Sequence, residues 1–195
     1  MTAILELTDV TKNFVKHLDA AAKLARYLGA KVTEEVVHAV DGVSLKIAKG
    51  EVVGLVGESG CGKSTLGRMV AGILEPTAGA IHYKGNLVSA MDKDAGHKTA
   101  LAIQMIFQDP FASLNPRMRV QDIIGEAPVR HGIVAKAGAA DYVAEVMRRV
   151  GLDPDYRRRY PHQFSGGMRQ RVMIAMALSC EPELLIADES TTALD

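Results

Sequence analysis

Residues 57–65 read GESGCGKST, a glycine-rich turn between an apolar run, Glu51 to Val56, and a helix-forming stretch, Ser64 to Ile73. The spacing G-x-x-x-x-G-K-[ST] falls on Gly57, Gly62, Lys63 and Ser64. Gly57, Gly60 and Gly62 let the backbone curl so that N–H groups face inward, where a helix N-terminus adds its own donors for phosphate oxygens. Glu58, Ser59 and Cys61 fill the remaining loop positions. Lys63 is expected to reach β- and γ-phosphates, Ser64 to place its hydroxyl on Mg2+, and Thr65 to support the phosphates through its backbone and hydroxyl. This motif alone does not separate a transport ATPase from a kinase or a GTPase.

A second feature answers the first. Residues 184–189 read LLIADE, an apolar strand that ends in two carboxylates. At the carboxyl end of a parallel strand, Asp188 would lie where nucleotides bind in open α/β sheets and could hold Mg2+ directly or through water. Glu189 could orient and polarise a water for in-line attack on a γ-phosphate.

The bulk properties narrow the setting. The chain has 195 residues, of which 48% are apolar, enough for a sizeable core. Its 23 basic and 23 acidic residues cancel, giving no sign of a surface that wraps nucleic acid. Two cysteines, Cys61 and Cys180, form no disulfide framework or metal cluster and suit a reducing compartment. The start, MTAILELTDV, lacks the order of a signal peptide, and no run approaches eighteen apolar residues.

Along the chain, Ile4 to Val10 and Val43 to Ile47 read as strands, with a turn at Asp41-Gly42 before the second. Leu18 to Ala30 reads as a helix with one apolar face. Glu51 to Val56 reads as a strand buried on both faces. Ala80 to Tyr83 is expected to be a strand near an edge, Asn86 to Thr99 a polar loop, and Leu101 to Phe107 an apolar strand. Helices are expected over Val120 to Arg130, Ala137 to Val150 and Gly166 to Ser179, with breaks at Gly151, Pro154 and Pro161. Glu183 to Ala187 reads as a final buried strand.

Four further segments carry a family resemblance: HAVDGV at 38–43, IFQDPFASLNPR at 106–117, SGGMRQR at 165–171 after Phe164, and ESTTALD at 189–195. In this order with the phosphate loop, they resemble the ATP-binding subunits of ABC transporters. Within that family they look like the oligopeptide and dipeptide importer branch, which also includes nickel importers. The resemblance implies an α/β fold: a P-loop NTPase of the ABC type, with N-terminal antiparallel strands and a helical insertion. It places a nucleotide-binding core at 1–107 and 180–195 and a helical subdomain carrying the signature motif at 108–179.

The resemblance also assigns roles. Phe14 matches the aromatic that stacks on adenine; the alternative is a core aromatic. Gln108 matches the glutamine that contacts Mg2+ and the attacking water and links the site to a membrane subunit. Ser165, Gly166 and Gly167 match the signature loop, which binds the γ-phosphate held by the other subunit of a head-to-tail pair. Asp195 matches the loop aspartate that crosses the same interface. Glu189, Gln108 and Lys63 are then the catalytic set, ATP and Mg2+ the cofactors, and Ser64, Gln108 and Asp188 the metal-holding set. Partners implied are transmembrane permease subunits, a second ATP-binding subunit and, indirectly, an extracytoplasmic substrate-binding protein; nucleic acid is not among them. The implied place is the cytoplasmic face of the cell membrane, held peripherally.

Three departures matter. Met168 stands where glutamine is most common, and Ser190 where proline follows the catalytic glutamate. The family's last strands and switch histidine have no counterpart after Asp195, and His162 lies too early to replace that histidine. The 195-residue form is therefore expected to fold poorly, or to be part of a longer chain with its missing piece at the C-terminus. Two other functions stay open: a non-hydrolysing remnant that binds nucleotide weakly, and a soluble ABC-type ATPase of DNA repair or translation.

Overall fold

The structure, a computed structural model, describes residues 3–16, 35–109 and 113–188. It divides into two compact units, Met1–Gly96 and His97–Asp195. The expected helix at Leu18 to Ala30 lies outside the described residues.

In the first unit, two long strands, β1 (Ala3–Lys16) and β2 (Glu35–Ala48), pair antiparallel. Helix α1 (Lys63–Val70) follows the phosphate loop. Strand β3 (Ala78–Tyr83) and the two-residue β4 (Asn86–Leu87) complete a sheet in the order β2-β1-β3-β4. β3 thus has a neighbour on both edges. Ile4, Leu5, Leu7 and Val10 of β1 are buried with Ile81 and Tyr83 of β3 and form the body of this sheet.

α1 buries Leu66, Met69 and Val70, which the 3–4 spacing puts on one face. Its end is a glycine stop. Gly72 takes φ +71°, its N–H donates to Met69 O (3.1 Å), and the Ile73 N–H donates to Arg68 O (2.9 Å). These two bonds satisfy carbonyls that the last helical turn leaves open. At Gly79, φ is +84° and a Cβ would run into the backbone of Asp9, so close passage of β3 against β1 depends on glycine.

Three expectations fail in this unit. The chain does not turn at Asp41-Gly42; β2 runs through it, with Gly42 at φ +58° where the β1–β2 ladder shifts register between the Val10–Val43 and Lys12–Val40 pairs. Residues 86–99 are not a loop: β4, a short 3-10 turn and helix α2 (Lys93–Ala102) occupy them. Asp92 starts α2 by accepting the Ala95 N–H at 2.8 Å, a capping signal the polar sequence did carry. Finally, Glu51 to Val56 forms no strand, and Val52 and Val56 are 97% and 94% exposed. A strand buried on both faces needs a partner along each edge and a layer on each face. Among the described residues none pairs with this run.

In the second unit, β5 (Ile103–Ile106) and β6 (Leu184–Ala187) pair in parallel. Between them lie α3 (Val120–Arg130), α4 (Ala139–Arg149) and α5 (Gly166–Leu178). Val120, Ile124, Val143, Met147, Phe164 and Val172 meet in one core. Each helix offers apolar residues three or four apart, which explains why these helices were legible. α4 also ends on a glycine stop, with Gly151 at φ +71° and the Leu152 N–H donating to Met147 O at 2.9 Å. β6 is less covered than expected, with Leu185 41% exposed, because only its β5 edge is paired.

Candidate phosphate loop and strand-end site

The phosphate loop is held from below by a β-bulge. In the β1–β2 ladder Lys12 pairs with Val40 but Asn13 pairs with His38, so Ala39 is an extra residue. A bulge takes a residue out of the ladder and re-aims it. The Ala39 carbonyl lies against Gly62, where any Cβ would collide with it. Gly62 also sits at φ +95° as the residue preceding α1. Glycine is thus required there twice, by backbone conformation and by contact.

Inside the loop, the Lys63 ammonium donates to the carbonyls of Gly57 (2.8 Å) and Glu58 (2.6 Å) and lies 3.7 Å from Cys61 Sγ. Gly57 leaves room for that thiol, since a Cβ there would come within 2.7 Å of it. Gly60 adopts φ +81°. Residues 57–61 are exposed, while Gly62, Lys63, Ser64 and Thr65 are half-buried where α1 begins. The first N–H groups of a helix have no acceptor within it, and a lysine beside them adds full positive charge. This donor set fits a polyphosphate.

Phe14 lies on β1 opposite Val37 and is 43% exposed, which sets aside the core-aromatic alternative. Val37 is two residues from Ala39, so Phe14 pairs two residues along β2 from the residue whose carbonyl abuts Gly62. Sequence reading missed both Ala39 and Lys12. A bulge has no side-chain signature, but Lys12 and Phe14 are two apart on a strand and therefore share a face.

The second unit gathers two of the expected residues. In the parallel pair Ile106 lies opposite Ala187, so Gln108 and Asp188 leave adjacent strands at their carboxyl ends. The Asp188 N–H donates to Ile106 O at 3.0 Å, extending the ladder by one bond. Gln108 is exposed and Asp188 half-buried. Strand ends of this kind are where α/β sheets bind ligands.

Ser165 caps α5, its hydroxyl oxygen accepting the Met168 N–H at 3.3 Å, with Gly166 exposed and Gly167 half-buried behind it. Arg169 donates through Nε to Pro161 O (2.8 Å), and Arg171 donates to the carbonyls of Val150 (3.1 Å) and Gly151 (3.2 Å). These arginines fix α5 to its surroundings, Arg171 at the negative end of the α4 dipole. Tyr142 ties in the other end by donating to Ser179 O at 2.8 Å; burial, then the charge of Glu181, pushes its hydroxyl pKa up. Burial likewise pushes the Cys180 thiol up. Glu189 and Asp195 lie outside the described residues.

Replacing Ser165 by Ala removes the cap and should cost about 1 kcal/mol. The thermal midpoint should fall by roughly 2–4 °C, with Ser165→Asp restoring it. Differential scanning calorimetry reads this directly, and an unchanged midpoint in Ser165→Ala would mean that the cap contributes nothing.

A glycine-rich loop of this spacing that opens a helix, with donors that suit a polyphosphate, marks the class of P-loop NTPases. The ABC transporter family matches residues 40–192, and the chain belongs to that family. It is 47% identical over 98% of its length to the oligopeptide transport ATP-binding protein AppF of Bacillus subtilis, covering 56% of that protein. It is 51% identical over 82% of its length to the putative oligopeptide transport ATP-binding protein YkfD of the same organism, covering 49% of it. The chain thus spans about half the length of these curated relatives. Among solved structures it resembles a dimeric ATP-binding cassette in a post-hydrolysis state bound to ADP and Pi. The TM-score is 0.79 at 28% identity, over 98% of this chain and 76% of that one. No helix among the described residues is long and apolar enough to cross a membrane.

Proposed function

We propose that the chain is the nucleotide-binding part of an ATP-hydrolysing subunit that energises an importer of oligopeptides or dipeptides. The observation that carries this reading is the phosphate loop itself: Lys63 folded over the Gly57 and Glu58 carbonyls, with Gly62 seated on the Ala39 bulge. The peptide cargo rests on the names of the relatives. The working division is a core of 1–107 and 180–195 with a helical subdomain at 108–179. The apolar core that gathers residues from Leu114 to Ala175 supports the helical part of this division.

In this reading the backbone of residues 57–62 and the start of α1 hold the phosphates. Lys63 leaves its own loop carbonyls to meet β- and γ-phosphate oxygens, a conversion from internal to charge-assisted external bonds. Phe14 takes the adenine. Glu189 orients the attacking water, and Gln108 contacts the same water. Ser64, Gln108 and Asp188 would hold Mg2+, which when bound offsets phosphate charge. Such a site needs few protein carboxylates, since phosphates and waters complete the shell.

Ser165, Gly166 and Gly167 face a nucleotide held by a second ATP-binding subunit, and Asp195 crosses the same interface. A dimeric solved relative supports pairing. Closure of the pair around ATP and its reopening after hydrolysis would drive permease subunits at the cytoplasmic face of the membrane, with a substrate-binding protein delivering peptide outside.

Because each site needs two chains, phosphate release per chain should rise with chain concentration and vanish in Lys63→Ala. A rate per chain that is constant with concentration and unaffected by Lys63→Ala would overturn this reading and favour a remnant without hydrolysis at this site.

A further inference from the structure

The exposed ring of Phe14 is not held by the sheet alone. The Lys12 ammonium stands 5.4 Å from its centroid, within cation–π range. The same ammonium donates to the Glu75 carbonyl at 2.7 Å. Glu75 lies in the segment that leaves α1, the helix that begins with Lys63 and Ser64. That segment is also sewn to β1 through backbone: the Thr77 N–H donates to Thr11 O (2.8 Å) and the Asn13 N–H to Thr77 Oγ1 (3.1 Å). Lys12 therefore joins the aromatic to the element that carries the phosphate loop, at the opposite end of that element from the Gly62–Ala39 contact.

We propose that Lys12 is a positioning residue for the base of the nucleotide: its ammonium covers one side of the Phe14 ring and leaves the other side to stack on adenine. The proposal rests on the reading of Phe14 as the adenine platform. A phenylalanine at the exposed end of a strand would otherwise sample several rotamers, and holding it in one removes an entropy cost from binding. The ammonium cannot do this as a free charge in water. The Glu75 carbonyl fixes where it stands, which a lysine on a flexible four-carbon stem requires.

The test compares ATP with inorganic triphosphate, which engages the loop but has no base, by calorimetric titration of the full chain. Lys12→Met keeps the apolar stem and loses the cation. It should weaken ATP about three- to fivefold, from the usual strength of an exposed cation–π contact, and leave triphosphate affinity unchanged. Lys12→Arg keeps both the cation and a donor and should restore ATP affinity. A merely structural tie between β1 and Glu75 would weaken both ligands together, and that result would overturn the proposal, as would ATP binding by Lys12→Met equal to that of the unchanged protein. Phe14→Ala separates the two layers of the argument. If it erases the preference for ATP over triphosphate while Lys12→Met does not, Lys12 has no such role. If Phe14→Ala leaves that preference intact, the adenine platform is elsewhere.

Discussion

Replacing Gly62 by Ala should weaken ATP binding by roughly a hundredfold or more, whereas Gly60→Ala should cost only about five- to thirtyfold. Both glycines have positive φ, +95° and +81°. An alanine in that region carries a strain of about 1–2 kcal/mol, which sets the smaller effect. What separates them is the space around a new Cβ. At Gly60 it would meet nothing within 4 Å, while at Gly62 it would run into the Ala39 carbonyl. Backbone cannot rotate away as a long side chain can, so either the bulge in β2 or the loop must move. In either case the N–H groups at the start of α1 lose their aim. Titration with ATP checks this pair of variants. Equal losses at the two glycines would show that the bulge does not support the loop.

Glu189→Gln should lower ATP turnover by about 10²–10⁴-fold, the range for removing a general base, with ATP affinity nearly unchanged. The separation arises because phosphate recognition is assigned to residues 57–65, whereas the carboxylate at 189 acts only on the water. Glutamine keeps size and polarity but cannot take a proton. Phosphate release and ATP binding measured on the same preparation check it. Undiminished turnover would remove Glu189 from the catalytic set, and a parallel loss of affinity would mean that it acts on nucleotide binding or folding instead.

How much of this was legible depended on the kind of physics involved. The phosphate loop was legible because its spacing is imposed by backbone geometry and charge on a few successive residues. The helices α3 to α5 were legible because their buried positions recur at three and four residues, as in Val143, Val146 and Met147. Ser165 was read only as part of the signature loop; its capping of α5 came from the structure. Helix α2 was missed because it buries no residue and so carries no apolar period; only Asp92 announced it.

Residues 51–56 failed for the opposite reason. The apolar run says how a strand would be buried but not whether neighbours are there to pair with it, and pairing is a property of distant segments. The Ala39 bulge was invisible in principle, since register is decided between strands rather than along one. The two residues that tie the site together, Ala39 and Lys12, therefore came from the structure, although the chemistry they support was written in residues 57–65.

The central claim, that residues 57–65 bind the phosphates of ATP, is tested most directly by calorimetric titration of the full chain and its Lys63→Ala variant with MgATP. The account predicts a saturable site in the unchanged protein, weakened at least about tenfold by loss of the lysine, the scale of a charged hydrogen bond. Equal binding by the two proteins, or no binding by the unchanged one, would contradict it.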